Sequence, residues 1–398
     1  MYIYVVRAGD TLERISRISG VSEEAIAYVN QIFYPYNLAV GQALLLTAEP
    51  TGGAAAEFSS GPERGANGRI GTWRPALLSG YAYPFINPWI LEQTLPYLTS
   101  LNVFSYGFTA DGMLVPPEAD DTRMIRAARA QRTRPVLTLV PLDEQGQFNN
   151  LLINSMINSA AYRERLISEL LYTVREKGFE GVDVDFEYIL ASDRDAFTDF
   201  VAQLTGRMNA EGYTVSVALA PKTSDGQQGL LYEGKDYAGL GAAANSVLLM
   251  TYEWGYRDSP PMAVAPINEV RRVVEYAVTR IPPEKIDLGI PNYGYDWPLS
   301  SASGREPAQS IGNVEAVHRA VEFGAEIFFD ETSKTPFYNY ENNGVRHEVW
   351  FEDVRSIQAK FDLIKEYGLR GAGYWQIMRL FRANWALASS TFRIEKFL

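Results

Sequence analysis

Residues 178–188 read GFEGVDVDFEY, so that Asp183, Asp185 and Glu187 occupy every second position. Because side chains alternate between the two faces of a β-strand, the three carboxylates are predicted to project from one side of a single strand. The apolar residues between them would then face the other side and pack against an apolar layer. Three acids on one strand are unfavourable unless they share protons or meet matching partners, so this strand is the first candidate for a catalytic site.

The composition of the chain excludes several other kinds of chemistry. The net charge of its 398 residues is −12, which provides no basic surface to neutralise the phosphates of a nucleic acid. The sequence has no cysteine, so disulfides, thiolate nucleophiles and zinc–thiolate sites are excluded. Its two histidines, His318 and His347, are far apart and give little material for a catalytic triad or a histidine-rich metal site. We therefore expect no metal and no cofactor.

Nothing in the sequence predicts a membrane protein. No segment approaches the ~20 consecutive apolar residues that a bilayer-spanning helix needs. The opening stretch, MYIYVVRAGD, lacks the basic segment and the following apolar segment of a secretion signal. We expect a monomer with no nucleic-acid or membrane partner.

Residues 1–48 are predicted to form a small βααβ unit. Strands are expected near residues 4–6 and 43–46, with two helices between them, of which the second would be capped by Ser22. Residues 49–73 are rich in Gly, Ala, Ser, Pro and Glu and have no hydrophobic periodicity, so they are predicted to be a linker.

This first unit resembles a LysM module in residues 5–12 (VVRAGDTL), in Ile15 and Asn30, and in residues 38–44 (LAVGQAL). Modules of that family bind glycans that contain N-acetylglucosamine, chiefly peptidoglycan and chitin. The resemblance implies that a glycan would contact the loop that follows the letters GDT and the loop that precedes Gly41.

From Leu77 onward, apolar runs alternate with amphipathic segments. Strands are predicted at residues 77–83, 103–108, 135–140, 181–188, 214–220, 247–254, 286–293 and 371–377. Eight strands that alternate with helices over residues 74–398 predict a (β/α)8 barrel. The stretch after the seventh strand, about residues 298–350, is too long for an ordinary connection and is predicted to be a small α+β insertion beside the mouth of the barrel.

The position of the acids in such a barrel predicts their roles. Catalytic groups lie at the C-terminal ends of the strands, so Glu187 is predicted at the mouth, Asp185 beneath it and Asp183 deepest. Repulsion among the three carboxylates should raise at least one pKa. A proton would then stay available near neutral pH, as general acid catalysis requires.

The spacing of the acids also favours one route of glycoside hydrolysis. The two carboxylates of an ordinary retaining or inverting glycosidase flank the scissile bond from opposite sides, which neighbours on one strand cannot easily do. The arrangement suits a substrate-assisted route, in which the 2-acetamido oxygen of the sugar attacks the anomeric carbon. Glu187 would protonate the leaving oxygen, while Asp185 would orient the amide N–H and stabilise the oxazolinium intermediate.

The same run resembles the strand-four signature of family-18 glycoside hydrolases, Asp-x-x-Asp-x-Asp-x-Glu, with Glu180 in place of the first Asp. Residues 250–253 (MTYE) resemble the family's Met-x-Tyr-Asp. That resemblance implies that Tyr252 donates a hydrogen bond to the acetamido carbonyl, and Glu253 stands in place of an Asp. Trp375, in the letters YWQ, resembles the Trp that forms the floor of the sugar site next to the scissile bond.

These patterns yield two sets of candidate site residues. The candidate catalytic residues are Glu187, Asp185, Asp183 and Tyr252. The candidate substrate-binding residues are Trp375, Glu253, Tyr106, Asn292, Tyr293 and Gln376. Three of the second set, Tyr106, Asn292 and Tyr293, are included because they are predicted to lie at strand ends, as is Tyr81.

Other interpretations of these residues stay open. The acids could form a structural or calcium-binding cluster, although calcium needs ligands that converge from several directions and no EF-hand loop is present. Tyr252 and Trp375 could be core aromatic residues, since strand ends are often aromatic.

The order of a LysM module followed by such a barrel, with residues 250–256 (MTYEWGY) and 260–266 (PPMAVAP), resembles the spore-cortex-lytic N-acetylglucosaminidases of spore-forming bacteria. The resemblance implies peptidoglycan as the glycan partner and the spore coat, cortex or cell wall as the location. A chitinase that acts on chitin oligomers is an alternative, because the same chemistry serves both substrates. A catalytically inactive, glycan-binding lectin is a further alternative, against which the presence of Glu187 argues.

Overall fold

The computed structural model of the protein describes residues 1–47, 74–142, 147–299 and 306–397. The predicted linker at residues 49–73 lies outside the described residues.

The strands fall into a two-stranded ribbon, a barrel and a separate antiparallel sheet. In chain order they are β1 (Tyr2–Val5), β2 (Ala43–Leu46), β3 (Pro75–Ala82), β4 (Ser100–Phe108), β5 (Leu114–Val115), β6 (Arg134–Leu139), β7 (Gly181–Val184), β8 (Thr214–Leu219), β9 (Ser246–Leu249), β10 (Ile286–Pro291), β11 (Gly294–Pro298), β12 (Gln309–Ile311), β13 (Phe328–Asp330), β14 (Thr335–Asn342), β15 (Val345–Trp350), β16 (Gly371–Trp375) and β17 (Arg393–Ile394).

The helices alternate with these strands and bury one apolar face each, as Leu166, Leu170 and Val174 do on the sixth helix. In chain order they are α1 (Leu12–Ser19), α2 (Glu23–Asn30), α3 (Pro88–Thr94), α4 (Thr122–Ala130), α5 (Asn150–Ile157), α6 (Ala160–Lys177), α7 (Arg194–Asn209), α8 (Tyr237–Ala243), α9 (Ile267–Ala277), α10 (Asn313–Glu322), α11 (Val354–Tyr367) and α12 (Arg382–Thr391).

Eight parallel strands form the barrel in the order β3, β4, β6, β7, β8, β9, β10 and β16, and the pairing of β16 with β3 closes it. The predicted (β/α)8 fold and its eight strands are thereby confirmed. Two strands end well before their predicted bounds, since β7 ends at Val184 and β9 ends at Leu249. Of the three acids, only Asp183 therefore lies within β7, and the other two lie in the segment that leaves the strand at the mouth of the barrel.

The apolar residues between the acids pack into the helix layer. Val182, Val184 and Phe186 are fully buried, and the ring of Phe186 stacks on Phe197 and Phe200 of α7 at centroid distances of 5.6 and 6.0 Å. Burial of each such side chain contributes roughly 1.5–3 kcal/mol. Because neighbouring side chains point to opposite sides, this anchoring turns the acids toward the barrel interior.

The N-terminal unit has the predicted βααβ order and its own apolar core. β1 and β2 pair antiparallel, and the side chains of Thr11 and Ser22 cap α1 and α2 by accepting hydrogen bonds from the first turns. Asn30 connects α2 to β2, because its side chain donates to the carbonyl of Leu45 at 3.0 Å and accepts from the same residue's N–H at 2.7 Å.

This unit packs directly on the barrel and its insertion. Gln31 accepts a hydrogen bond from the N–H of Arg382 at 2.7 Å, and the N–H of Ile327 donates to the carbonyl of Val40 at 2.8 Å. Gly41 has φ +83°, and a Cβ there would lie 1.8 Å from the oxygen of Ile327, so only glycine permits the contact. The loop before Gly41, expected to meet glycan, therefore lies against the insertion.

The insertion after the seventh barrel strand is an antiparallel sheet in the order β12, β11, β15, β14, β13, with α10 packed on it. It begins at Gly294, slightly before the predicted boundary. The buried carboxylate of Asp296 holds it together by contacting Arg319, Tyr340 and the Nδ1 of His347. In the part of the chain that the structure describes, no helix is long and apolar enough to cross a bilayer.

Candidate active site

Asp183 forms the base of the site. Only 1% of the residue is exposed, and its carboxylate accepts hydrogen bonds from Tyr81 Oη at 2.8 Å and from Ser216 Oγ at 2.5 Å. Burial raises the pKa of Asp183, and the hydrogen bonds from Ser216, Tyr81 and Asn102 oppose that rise. A polar cavity of about 200 Å³ inside the barrel reaches this carboxylate from the N-terminal side.

Asp185 lies next on the way to the mouth. Its N–H donates to the carbonyl of Leu139 at 2.9 Å, which continues the barrel pairing one residue beyond β7. Its Oδ1 is buried and has no hydrogen-bond partner among the described residues. Burial raises the pKa of Asp185 well above its usual value, and the negative charges of Glu187 and Asp183 raise it further. This carboxyl therefore retains a proton more readily than an exposed aspartate, and it has an oxygen left over for a ligand.

Glu187 is the outermost acid and is half-buried. Burial raises its pKa, while the positive charge of Lys235 lowers it. Exposure thus increases from Asp183 through Asp185 to Glu187, which is the order that the sequence predicts. The titrations of Asp185 and Glu187 are linked, because ionisation of one disfavours ionisation of the other.

Lys235 is a component of the site that the sequence did not reveal. The residue is fully buried after β8, and its Nζ donates to the carbonyl oxygens of Phe186 and Ala218. Burial lowers the pKa of Lys235 to about 8, against the opposing effect of Asp185 and Glu187. No periodicity or motif marks this lysine, because it matters only once the loop after β8 brings its Nζ to the carbonyl of Phe186, the residue between Asp185 and Glu187.

Tyr252 and Glu253 follow β9, which is two strands away from β7 in the barrel. Tyr252 is half-buried, and its pKa is raised well above the usual value by burial and then by the charges of Asp185 and Glu187. Glu253 has φ +65° and accepts hydrogen bonds from the hydroxyls of Tyr293 and Tyr295. The glutamate in place of the family's aspartate therefore reaches the insertion rather than standing free in the cleft.

Trp375 lies at the end of β16 beside the same acids. Its ring makes edge contacts with Phe104 at 4.9 Å, Tyr81 at 5.7 Å and Tyr83 at 6.4 Å between centroids. The ring is half-buried, so one part packs in the barrel and another part faces the mouth.

Asn292 and Gln376 support the loop that carries Trp375. The N–H of Asn292 donates to the carbonyl of Trp375 at 2.9 Å, and its side-chain amide donates to the carbonyls of Gln376 and Arg379 at 3.0 and 2.9 Å. The side-chain oxygen of Gln376 accepts from the N–H of Met378 at 2.7 Å. Both residues hold the loop that carries the tryptophan.

Tyr106 is not brought into this group, and its selection as a substrate-binding residue needs correction. The residue is fully buried, and its hydroxyl donates to Asp121 at 2.5 Å and accepts from Lys177 at 2.8 Å in the outer helix layer. The register between β4 and β6 shifts between Val103 and Tyr106, which breaks the regular alternation of side chains. Phe104 takes the interior position, in contact with Trp375.

Glu180, which replaces the first Asp of the family signature, lies before β7 and pairs with Arg129 at 2.6 Å. It lies three residues before Asp183, outside β7. Within the ranges that the structure describes, no group of three or more potential metal-ligating side chains is found. The carboxyls of Asp185 and Glu187 can therefore hold and transfer a proton, and the ring of Trp375 provides an aromatic surface next to them.

Comparison with known proteins agrees with this geometry. The family described as "Glycosyl hydrolases family 18" matches residues 145–379, and the family described as "LysM domain" matches residues 4–47. The chain is 42% identical over 306 residues to the cortical fragment-lytic enzyme of Bacillus subtilis (strain 168), covering 77% of this chain and 70% of that protein.

Two solved structures resemble the whole chain. The spore cortex-lytic enzyme SleL of Bacillus cereus is 32% identical with a TM-score of 0.88, and the match covers 99% of each chain. The SleL of Bacillus megaterium QM B1551 is 34% identical with a TM-score of 0.79, covering 100% of this chain and 87% of that one. The likeness therefore includes the N-terminal unit as well as the barrel.

Proposed function

Because the chain belongs to glycosyl hydrolase family 18 and is a glycosidase, we propose that it hydrolyses β-1,4 bonds at N-acetylglucosamine in the peptidoglycan of the spore cortex. The observation that carries the proposal is the buried carboxyl of Asp185, which feels the charges of Asp183 and Glu187 and whose Oδ1 has no hydrogen-bond partner in the described parts of the chain. The names of the relatives supply the substrate, since one is a cortical fragment-lytic enzyme and another a spore cortex-lytic enzyme.

The first step is proton transfer to the leaving group. A sugar that packs its ring on Trp375 presents its glycosidic oxygen to Glu187, which donates the proton as the C1–O bond breaks. Burial raises the pKa of Glu187, so the side chain holds that proton more firmly than an exposed glutamate does. Its half-buried position leaves room for the leaving sugar at the mouth of the barrel.

The nucleophile is the acetamido oxygen of the same sugar. Asp185 Oδ1 accepts a hydrogen bond from the acetamido N–H, which orients the carbonyl oxygen toward C1 and balances the positive charge of the oxazolinium intermediate. The hydroxyl of Tyr252 donates to the acetamido oxygen and restricts its position. Water then attacks C1, Glu187 takes its proton, and the product keeps the β configuration.

Asp183 and Lys235 set the charge balance of this step. The negative charge of Asp183 raises the pKa of Asp185, and the positive charge of Lys235 opposes it. We propose that the enzyme acts as a monomer in the spore coat or cortex. None of these steps requires a metal or a cofactor.

Analysis of the products tests the bond specificity. Purified cortex fragments and vegetative peptidoglycan are digested, and the released fragments are reduced and measured by mass spectrometry. Reducing-end N-acetylglucosamine is the expected product, whereas reducing-end muramic acid would contradict the proposal. Hydrolysis of chitin oligomers alone would identify a chitinase, and binding of glycan without any turnover would identify a lectin.

Replacing Lys235 by methionine should move the pH dependence of the reaction. The buried ammonium lowers the pKa of both Asp185 and Glu187, so its removal raises both. The two limbs of the pH profile of kcat/KM are expected to shift to higher pH. Lys365→Met, which removes an exposed lysine on α11, is the matched control. An unmoved profile in Lys235→Met, with a normal melting curve, would remove Lys235 from the charge balance of the site.

A further inference from the structure

Two groups of exposed or half-buried rings lie on the surface, one beside Trp375 and one where the barrel meets the N-terminal unit. We propose that six side chains form an extended binding surface that holds a glycan strand between the catalytic site and the LysM domain. These side chains, called the aromatic track, are Trp375, Tyr83, Phe85, Trp89, Arg382 and Tyr28. The inference rests on the proposed function, because it assigns further sugar-binding positions to the same substrate.

The inner half of the track starts at the catalytic site. The ring of Tyr83 lies 6.4 Å from that of Trp375, in an edge arrangement, and Phe85 stacks on Tyr83 at 5.1 Å with an interplanar angle of 19°. Tyr83 is half-buried, but Phe85 is 70% exposed. Tyr83 and Phe85 therefore present a pair of stacked rings beside the catalytic site, on which a sugar ring can pack.

The outer half of the track crosses from the barrel to the LysM domain. The guanidinium of Arg382 lies 4.3 Å from the ring centroid of Tyr28 and 5.2 Å from that of Trp89. Tyr28 belongs to α2 of the LysM domain and is 60% exposed, while Trp89 belongs to α3 of the barrel and is 51% exposed. One cation therefore holds two exposed rings from two domains in a shared surface.

Backbone contacts fix the positions of these rings. The side chain of Asn87 accepts a hydrogen bond from the N–H of Trp89 at 2.9 Å and so caps the start of α3. The N–H of Arg382 donates to Gln31, the residue that ends α2. Because α3 and α12 both belong to the barrel, Tyr28 of the LysM domain is held at a fixed position relative to the barrel rings and does not move with a free domain.

A polysaccharide suits this surface better than a folded protein partner does. Pyranose rings present flat C–H faces that pack on aromatic rings, and a strand of them can follow a narrow line of separate rings. The inner half of the track, Tyr83 and Phe85, adjoins the site where the same polymer is to be cleaved. Once a strand is bound at one end of the track, its free part has a high effective concentration at the other end. Binding at both ends is therefore tighter than binding at either end alone.

The test compares strands of different length in the full-length protein. For wild type, kcat/KM is measured on chitin oligomers and on cortex glycan fragments, from strands that fill only the cleft to strands that also cover the track. Trp89→Ala and Phe85→Ala should each reduce the gain from short to long strands by roughly five- to tenfold. Trp89→Phe should restore most of it, because the ring is kept.

Tyr172→Ala is the matched control, since Tyr172 is a 65% exposed aromatic residue on α6, outside the track. A gain with strand length in Trp89→Ala and Phe85→Ala equal to that of wild type would overturn the track. If wild type cleaves no glycan, the proposed function fails, and sedimentation with insoluble peptidoglycan decides the track separately. In that assay Trp89→Ala is expected to lose binding and Tyr172→Ala to keep it, and equal binding by both would overturn the proposal.

Discussion

Replacing Glu187 by glutamine should lower kcat on cortex glycan by roughly 10³- to 10⁴-fold, because the amide cannot donate a proton to the leaving oxygen. Binding of the glycan should persist, since the shape and the hydrogen-bonding capacity of the side chain change little. The ionised carboxylate is disfavoured in its half-buried position, as its raised pKa shows. Such a group favours the folded state most at low pH and loses that effect as pH rises through its folded pKa. At neutral pH, the melting temperature of Glu187→Gln should therefore equal or exceed that of wild type.

Aryl glycosides with a good leaving group test whether the loss in Glu187→Gln comes from the missing proton donor. An activated leaving group needs little protonation, so Glu187→Gln should recover much of its lost rate in the first step on such substrates. Glu176→Gln, the same change at an exposed position on α6, should leave the rates as they are. Wild-type turnover of cortex glycan by Glu187→Gln would remove this residue from the role of the acid.

Local patterns in the sequence predicted the barrel well. The apolar runs that became β3, β6, β8 and β16 start and end within two residues of their predicted bounds, because buried parallel strands are apolar on both faces. β7 and β9 end earlier than predicted because polar and apolar side chains continue to alternate after the chain has left the sheet. Phe186, for example, lies beyond the end of β7 and still packs on α7. Periodicity records which way a side chain faces, but not whether the backbone is still paired.

The candidate site could be predicted only where a motif carried the information. The acids and Tyr252 belong to such motifs. The structure brings them close enough together for the charges of the acids to raise one another's pKa and that of Tyr252. Tyr106 was selected by its position at a strand end, and the register shift in β4 turned it into the helix layer. Lys235 could not be predicted, because nothing in the local sequence shows that the loop after β8 buries this lysine near the carboxylates of Asp185 and Glu187.

The packing of the LysM domain was also beyond sequence patterns. It depends on single contacts, such as the approach of Gly41 to Ile327 and the bond between Gln31 and Arg382, which join positions distant in sequence. No composition or period reports contacts of that kind. Their consequence is functional, because they place exposed rings of two domains side by side.

Asp185→Asn should lower kcat by roughly 10²- to 10³-fold, which is the usual effect of removing one electrostatic stabiliser of a charged intermediate. The asparagine is close in size to the aspartate and can still accept a hydrogen bond from the acetamido N–H. It cannot, however, balance the positive charge of the oxazolinium. The loss should therefore fall on the chemical step, visible in kcat, with a smaller change in KM.

The choice of leaving group separates this loss from that of Glu187→Gln. A better leaving group does not supply the missing negative charge, so Asp185→Asn should stay slow on activated aryl glycosides where Glu187→Gln recovers. Asp199→Asn, at an exposed position on α7, is the matched control and should behave as wild type. Equal recovery of both site variants on activated substrates would mean that Asp185 acts through protonation of the leaving group. The acetamido N–H would then lose its assigned partner, and the substrate-assisted route would have to be abandoned for this enzyme.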